Sequence, residues 1–268
     1  MNRVIIAVNV HPDYLFLAPL TAILWATRTG YRPTIFTSHE TPSLTFLKRS
    51  GLCDLNVVNP QNDRMAIKLL RWYCYPFFNP DDALLLADVD CWPINGAFWD
   101  RPVTKPITCF YGDAYQGKRH ATHGFRASVT AFRKICPVPD DPMRYMVAPL
   151  CPGSSRVAEL RKLPEDDERR WSDDASQAEL VLKWMAEHPN DYELVERGPS
   201  PPDNRIDRSD WPSTFAMLDF IGKADAHLPR DASDRRVWRM IYPLFEKLAP
   251  DWAGWARSYR DEWERSYS

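Results

Sequence analysis

Glycine is scarce in this chain, ten in 268 residues, and no two of them are spaced G-x-G. That absence removes the G-x-G-x-x-G turn of dinucleotide-binding folds, and with it an NAD-type oxidoreductase. The six cysteines include no C-x-x-C pair, which excludes a zinc site of that spacing. Their scatter along a chain this long argues against a disulfide framework. They read as small core hydrophobes in a reducing compartment, and the expected location is cytoplasmic. No apolar run is long enough to cross a bilayer. Residues 4–8 are closed too soon by Asn9, His11 and Asp13 for a signal-peptide core, and residues 15–26 are interrupted by Pro19. Neither charge sign dominates, with 34 Lys and Arg against 36 Asp and Glu, so neither nucleic acid nor an anionic membrane is an expected partner.

What is present is an alternation. Residues 4–10 are nearly continuous apolar and β-branched, as in a strand buried on both faces. A helix to residue 29, strands at 33–37 and 55–58 separated by a short helix at 43–50, a longer helix at 62–78 and a strand at 83–87 follow. The pattern is β-α-β-α-β-α-β, and it predicts an α/β fold with a parallel sheet between helices. In the helix at 62–78, Ile67, Leu70 and Cys74 form the apolar face, and Arg64, Lys68 and Arg71 the more polar one. Beyond Asp90 one strand is expected at 107–111, then polar loops to about 152, an amphipathic helix at 175–187 capped by Ser172 or Asp173, and helices from 234 onward.

The chemistry is concentrated in Asp88-Val89-Asp90, which emerges from the 83–87 strand and precedes Trp92 and Pro93. Ligands of open α/β sheets bind outside the carboxyl ends of strands. On an extended backbone Asp88 and Asp90 point to one side and Val89 to the other. Two oxygen ligands so placed suit Mg²⁺ or Mn²⁺ held together with a diphosphate. The bland alternative is turn chemistry after a strand.

The apolar strand, the D-x-D and the aromatic-Pro-Ile sequence that follows resemble the small GT-A-fold glycosyltransferases that use nucleotide-sugar donors. The resemblance takes in Val8-Asn9-Val10 at the end of the first strand, the helix carrying Arg64 and Lys68, Arg205-Ile206-Asp207-Arg208 with Trp211, and Asp225-Ala226-His227-Leu228. It implies a single GT-A-like domain over 1–268, with a nucleotide-sugar half at 1–95, an acceptor and metal-completing half at 96–233 and C-terminal helices at 234–268. It further implies that residues 8–10 receive the nucleoside, that Arg64 and Lys68 face the diphosphate, and that His227 completes a metal site with Asp88 and Asp90. On this view Asp88 serves metal or ribose. The donor is a nucleoside-diphosphate sugar, UDP favoured, and the acceptor a hydroxyl of a glycan or other molecule. Residues 112–165 carry no acceptor positions over.

Asp173-Asp174 open a helix and have two readings. They cap it and meet its dipole, or one is the general base of an inverting transfer. Gly112–Lys118 fits G-x-x-x-x-G-K, but Arg119 stands where a phosphate loop needs Ser or Thr for its metal. His120 and His123 lie in a polar loop without a carboxylate pair, and no second metal site is expected there. Trp252, Trp255, Tyr259, Trp263 and Tyr267 recur every three or four residues, a stripe expected to dock on the domain. It would otherwise serve a partner or make a shallow membrane contact. The alternatives to a glycosyltransferase are therefore a sugar-phosphate nucleotidyltransferase on a related sheet and a non-catalytic interaction protein using that helix.

Overall fold

The computed structural model describes residues 1–58, 64–110, 123–137, 155–195, 205–211 and 222–267, apart from the side chains of residues 64, 155–157, 210 and 267. Strand β1 (Asn2–Val8) leads into α1 (Pro12–Arg28), β2 (Arg32–Thr37), α2 (Pro42–Arg49), β3 (Asp54–Val57), α3 (Arg64–Tyr73) and β4 (Ala83–Ala87). After β4 come β5 (Cys91–Pro93), α4 (Gly96–Trp99), β6 (Ile107–Phe110), β7 (Phe125–Ser128), α5 (Val129–Ile135) and α6 (Ser155–Arg161). The remainder is α7 (Asp173–Glu187), β8 (Tyr192–Val195), β9 (Asp225–His227), α8 (Arg235–Leu248) and α9 (Ala253–Tyr267).

Seven strands form one sheet in the order β3-β2-β1-β4-β7-β6-β8, and β5 pairs with β9 in a separate ribbon. The pairs among β1 to β4 are parallel, as is β6 with β8, while β7 runs antiparallel to both of its neighbours. From β1 the chain steps outward to β2 and β3, then returns to place β4 on the other side of β1. The gap beyond the carboxyl ends of β1 and β4 is thus the topological switch point of the sheet, where open α/β folds bind ligands.

Alternation along the central strands divides the core. Val4, Ile6, Val8, Leu85 and Ala87 pack with α1, α8 and α9 on one face. Ile5, Leu84 and Leu86 pack with α3, α5 and α7 on the other. Both faces are covered, which is why these strands read as unbroken apolar runs. The C-terminal stripe belongs to the first core: Tyr259 stacks on Phe16 at 5.4 Å, Trp263 meets the same ring edge-on, and Trp255 stacks on Phe46. The Tyr259 hydroxyl donates to the Phe16 carbonyl at 3.0 Å. Tyr259 and Trp263 are buried in this core, while Trp252 and Trp255 pack against it half-buried. The side chain of Tyr267 lies outside the described residues.

Several elements differ from the sequence reading, which expected none of β5, α4, α6, β8 and β9. The segment expected as loop to about 152 contains β7 and α5, and the helix expected at 62–78 ends at Tyr73, with a 3₁₀ turn at Tyr75–Phe77. Strand β7 has only four residues and is entered through Gly124, at φ +85°. A Cβ added there would lie 2.8 Å from the Phe110 Cβ. Gly124→Ala is expected to destabilise the chain by roughly 2–4 kcal/mol, combining left-handed backbone strain with overpacking. Thermal denaturation would register it; an unchanged melting temperature would contradict this account of β7. Among the described residues no helix is long and apolar enough to cross a membrane, and Cys53, Cys74, Cys91, Cys109 and Cys136 are buried thiols outside any disulfide.

Candidate active site

Strand β4 stops at Ala87, and the chain turns rather than continuing extended. The Cys91 amide donates to the Asp88 carbonyl at 3.2 Å to close the turn. Thr21, fully buried in α1, fixes its middle by donating to the Val89 carbonyl at 2.6 Å, and the Trp92 indole donates to the Thr21 hydroxyl. The turn separates the two carboxylates that an extended backbone would have aligned. Asp88 Oδ1 accepts from Arg71 Nη1 at 2.5 Å, while Asp90 Oδ2 accepts from Arg208 Nη2 at 2.5 Å. The pairing of β5 with β9 sets Cys91 opposite His227, which brings His227 Nε2 to 3.6 Å from Asp90 Oδ2. Potential metal-binding groups among the described residues are Asp90 with Cys91 and His227, and Asp88 with Cys91 and His123; none contains both carboxylates. Burial pushes the Cys91 thiol well above its ordinary range.

Arg71 holds this site to the rest of the fold. The sequence pattern puts it on the polar face of α3, yet it is only 5% exposed. Its Nε and Nη2 both donate to Asp173 Oδ2, at 2.8 and 2.6 Å, while Nη1 reaches Asp88. Burial opposes the guanidinium charge, but Asp173 and Asp88 outweigh it and keep the group protonated. Asp88 shows the complementary balance: burial raises its pKa, and Arg71 pulls it well below the usual carboxylate range.

Two cavities open at the switch point, of about 780 and 220 Å³. Asn9, Lys68, Asp90 and Arg208 line both. The larger one carries five cations (Lys68, Arg161, Arg170, Arg208, Arg230) against three carboxylates (Asp13, Asp90, Asp231), a balance that favours an anionic ligand.

No family model matches the sequence, and no curated protein matches it in sequence. Solved structures do match in shape. The glycosyltransferase GlyE of Streptococcus pneumoniae TIGR4 superposes with a TM-score of 0.53 at 11% identity, covering 97% of this chain. The galactosyltransferase LgtC, in a complex with donor and acceptor sugar analogues, gives 0.51 at 12% identity, covering 95% of this chain and 99% of its own. The fold is that of the GT-A glycosyltransferases. This chain spans 65% of the length of GlyE.

Within this GT-A fold the residues named from sequence fall as follows. Val8 is fully buried at the end of β1, and Asn9 is buried just beyond it with its side chain accepting from the His11 amide. Val10 is exposed, past the end of the strand. Lys68 faces both cavities; Arg64 opens α3, and its side chain lies outside the described residues. Ser172 caps α7, accepting from the Ala175 amide, so capping belongs to neither aspartate. Asp173 is buried against Arg71, and both Asp173 and Asp174 line the smaller cavity. Gly112–Lys118 and His120 lie outside the described residues.

His123 is the second residue that sequence reasoning passed over. Its Nε2 is 2.6 Å from Asp225 Oδ2, and its Nδ1 accepts from the Asp88 amide at 3.2 Å. The amide can only donate, so the ring proton belongs on Nε2, facing the fully buried Asp225. The imidazole thereby pins the first residue of the D-x-D turn to β9. The missing carboxylate partner was there, 102 residues further along the chain.

Proposed function

We propose that this chain transfers a sugar from a nucleoside-diphosphate donor, UDP favoured, to a hydroxyl of a glycan or other acceptor. The carrying observation is the cationic 780 Å³ cavity at the switch point of a GT-A fold, lined by Asp90, with His227 3.6 Å from that carboxylate on the wall of the adjoining smaller cavity. Asn9 at the end of β1 marks the nucleoside side of the cavity. Lys68 and Arg208 stand where they can neutralise a diphosphate, and Asp88 is left to the ribose or to a metal ion. The five described cysteines, buried and in no disulfide, fit a reducing compartment such as the cytoplasm.

The residues fit a divalent ion. Two donors bound at about 2.1 Å to one hard cation lie roughly 3–4 Å apart. Asp90 Oδ2 and His227 Nε2 are 3.6 Å apart, and both already direct lone pairs at a cationic N–H group. Asp90 and His227 would hold Mn²⁺ or Mg²⁺, with Asp88 beside them. The chemistry such an ion supplies when bound is neutralisation of the departing nucleoside diphosphate.

Asp173 also borders the smaller cavity but is the weaker candidate for a base, since it is buried and its Oδ2 accepts two hydrogen bonds from Arg71. Asp174, one residue on and facing the smaller cavity, is the base of this reading, and the transfer inverts the anomeric centre. Asp174→Asn is expected to lower turnover by roughly 10²–10⁴ with donor affinity little changed. The assay is UDP release from a panel of UDP-sugars, with NMR of the first-formed product. A retained anomer, or an active Asn variant, removes Asp174 as base and leaves the donor class standing. Release of pyrophosphate from UTP in the presence of a sugar 1-phosphate, with no UDP released from any UDP-sugar, would indicate nucleotidyl transfer.

A further inference from the structure

Arg208 occupies the point on which Asp90 and His227 converge. Its Nη2 lies 2.5 Å from Asp90 Oδ2 and 2.7 Å from His227 Nε2. A guanidinium has donors only, so His227 Nε2 must present its lone pair, and Nη2 has two hydrogens, one for each acceptor. These are the same two lone pairs that a divalent ion would need. Arg208 is also held in place. Two residues earlier, Ile206 bridges to Ala226 of β9, and the Arg208 Nε donates to the Leu228 carbonyl at 2.9 Å. The Leu228 amide donates to the Asp90 carbonyl, and the Trp211 indole donates to the His227 carbonyl, so the whole cluster is tied to one short ribbon.

We propose that Arg208 is a resident cation of this site. It fills the ion's seat while the donor is absent and yields it when a diphosphate offers the guanidinium another anion. The inference rests on the function proposed above. Two cations cannot share lone pairs aimed at one point, so guanidinium and ion exclude each other there. The side chain is 30% exposed and borders both cavities, which leaves it room to turn toward a diphosphate without moving its backbone. An arginine suits that second role, because its planar fork matches phosphate oxygens as well as a carboxylate. The consequence is ordered loading: the site holds an ion weakly before the nucleotide arrives.

The test is titration of the full chain with Mn²⁺ alone, read by the loss of the free-ion EPR signal, with no nucleotide present. Arg208→Gln is expected to bind Mn²⁺ about tenfold or more tightly than wild type, because it removes the competitor. Adding Asp90→Asn to that variant should abolish the gain. Arg208→Lys keeps the charge without the fork and should lie between, which preserves the test if the Gln variant does not fold. Equal Mn²⁺ affinity in wild type and Arg208→Gln, with loss in Asp90→Asn, would overturn Arg208 as competitor and leave the metal site intact. If no variant binds Mn²⁺, the metal reading itself fails, and this inference with it.

Discussion

Arg71→Met is expected to destabilise the chain by about 3–5 kcal/mol, the range for breaking a buried ion pair from one side. Asp173, 3% exposed, would lose the only cation that contacts it at hydrogen-bonding distance among the described residues, and Asp88 would lose its clamp. At about 2–4 °C per kcal/mol for a chain of this size, the melting temperature should fall by roughly 6–20 °C. Asp173→Asn alone should cost less, because Arg71 keeps Asp88. The double variant should cost less than the sum of the two, since the residues are in contact. A melting temperature within about 2 °C of wild type for Arg71→Met would mean that the pair does not hold α7 to β4.

That residue also shows where the sequence stopped being informative. The strands β1, β2 and β4 were legible because burial on both faces leaves continuous apolar runs, and their alternation with helices fixed a parallel sheet. The D-x-D position was legible because it follows directly from β4. Arg71 and His123 were not, for one reason: each owes its burial to an acid 102 residues away, Asp173 and Asp225 respectively. Local pattern places an arginine three residues after Lys68 on the polar side of a helix, and only the fold supplies the carboxylate that lets it be buried. The extended reading of Asp88 and Asp90 failed differently. Hydrophobic periodicity marks where β4 ends but not how the next three residues turn, and here Thr21 from α1 decides it. Strand β7 was missed because four residues following a polar loop carry no periodicity to count.

Asp90→Asn is expected to lower transfer by about 10³-fold or more, because it removes the charge shared by the ion site and Arg208. The fold should survive. Although Asp90 is only 7% exposed, Asn keeps its size, and Arg208 stays partly in water. His227→Ala should be milder, about 10–100-fold in metal affinity, with carboxylate and diphosphate still available to the ion. Turnover by Asp90→Asn at the wild-type rate in saturating Mn²⁺ would remove the carboxylate from the mechanism.

The central claim, that the cavity between the carboxyl ends of β1 and β4 takes a nucleoside diphosphate, is tested most directly by melting the wild-type chain with UDP and a panel of nucleotide sugars in the presence of Mn²⁺. A ligand at a hundredfold excess over its Kd adds about 2.7 kcal/mol of stability, or roughly 5–10 °C at this chain length. The account predicts such a rise for at least one nucleotide, with most of it lost in Lys68→Ala and Asp90→Asn. No rise with any nucleotide, or a rise that both variants retain in full, would contradict it.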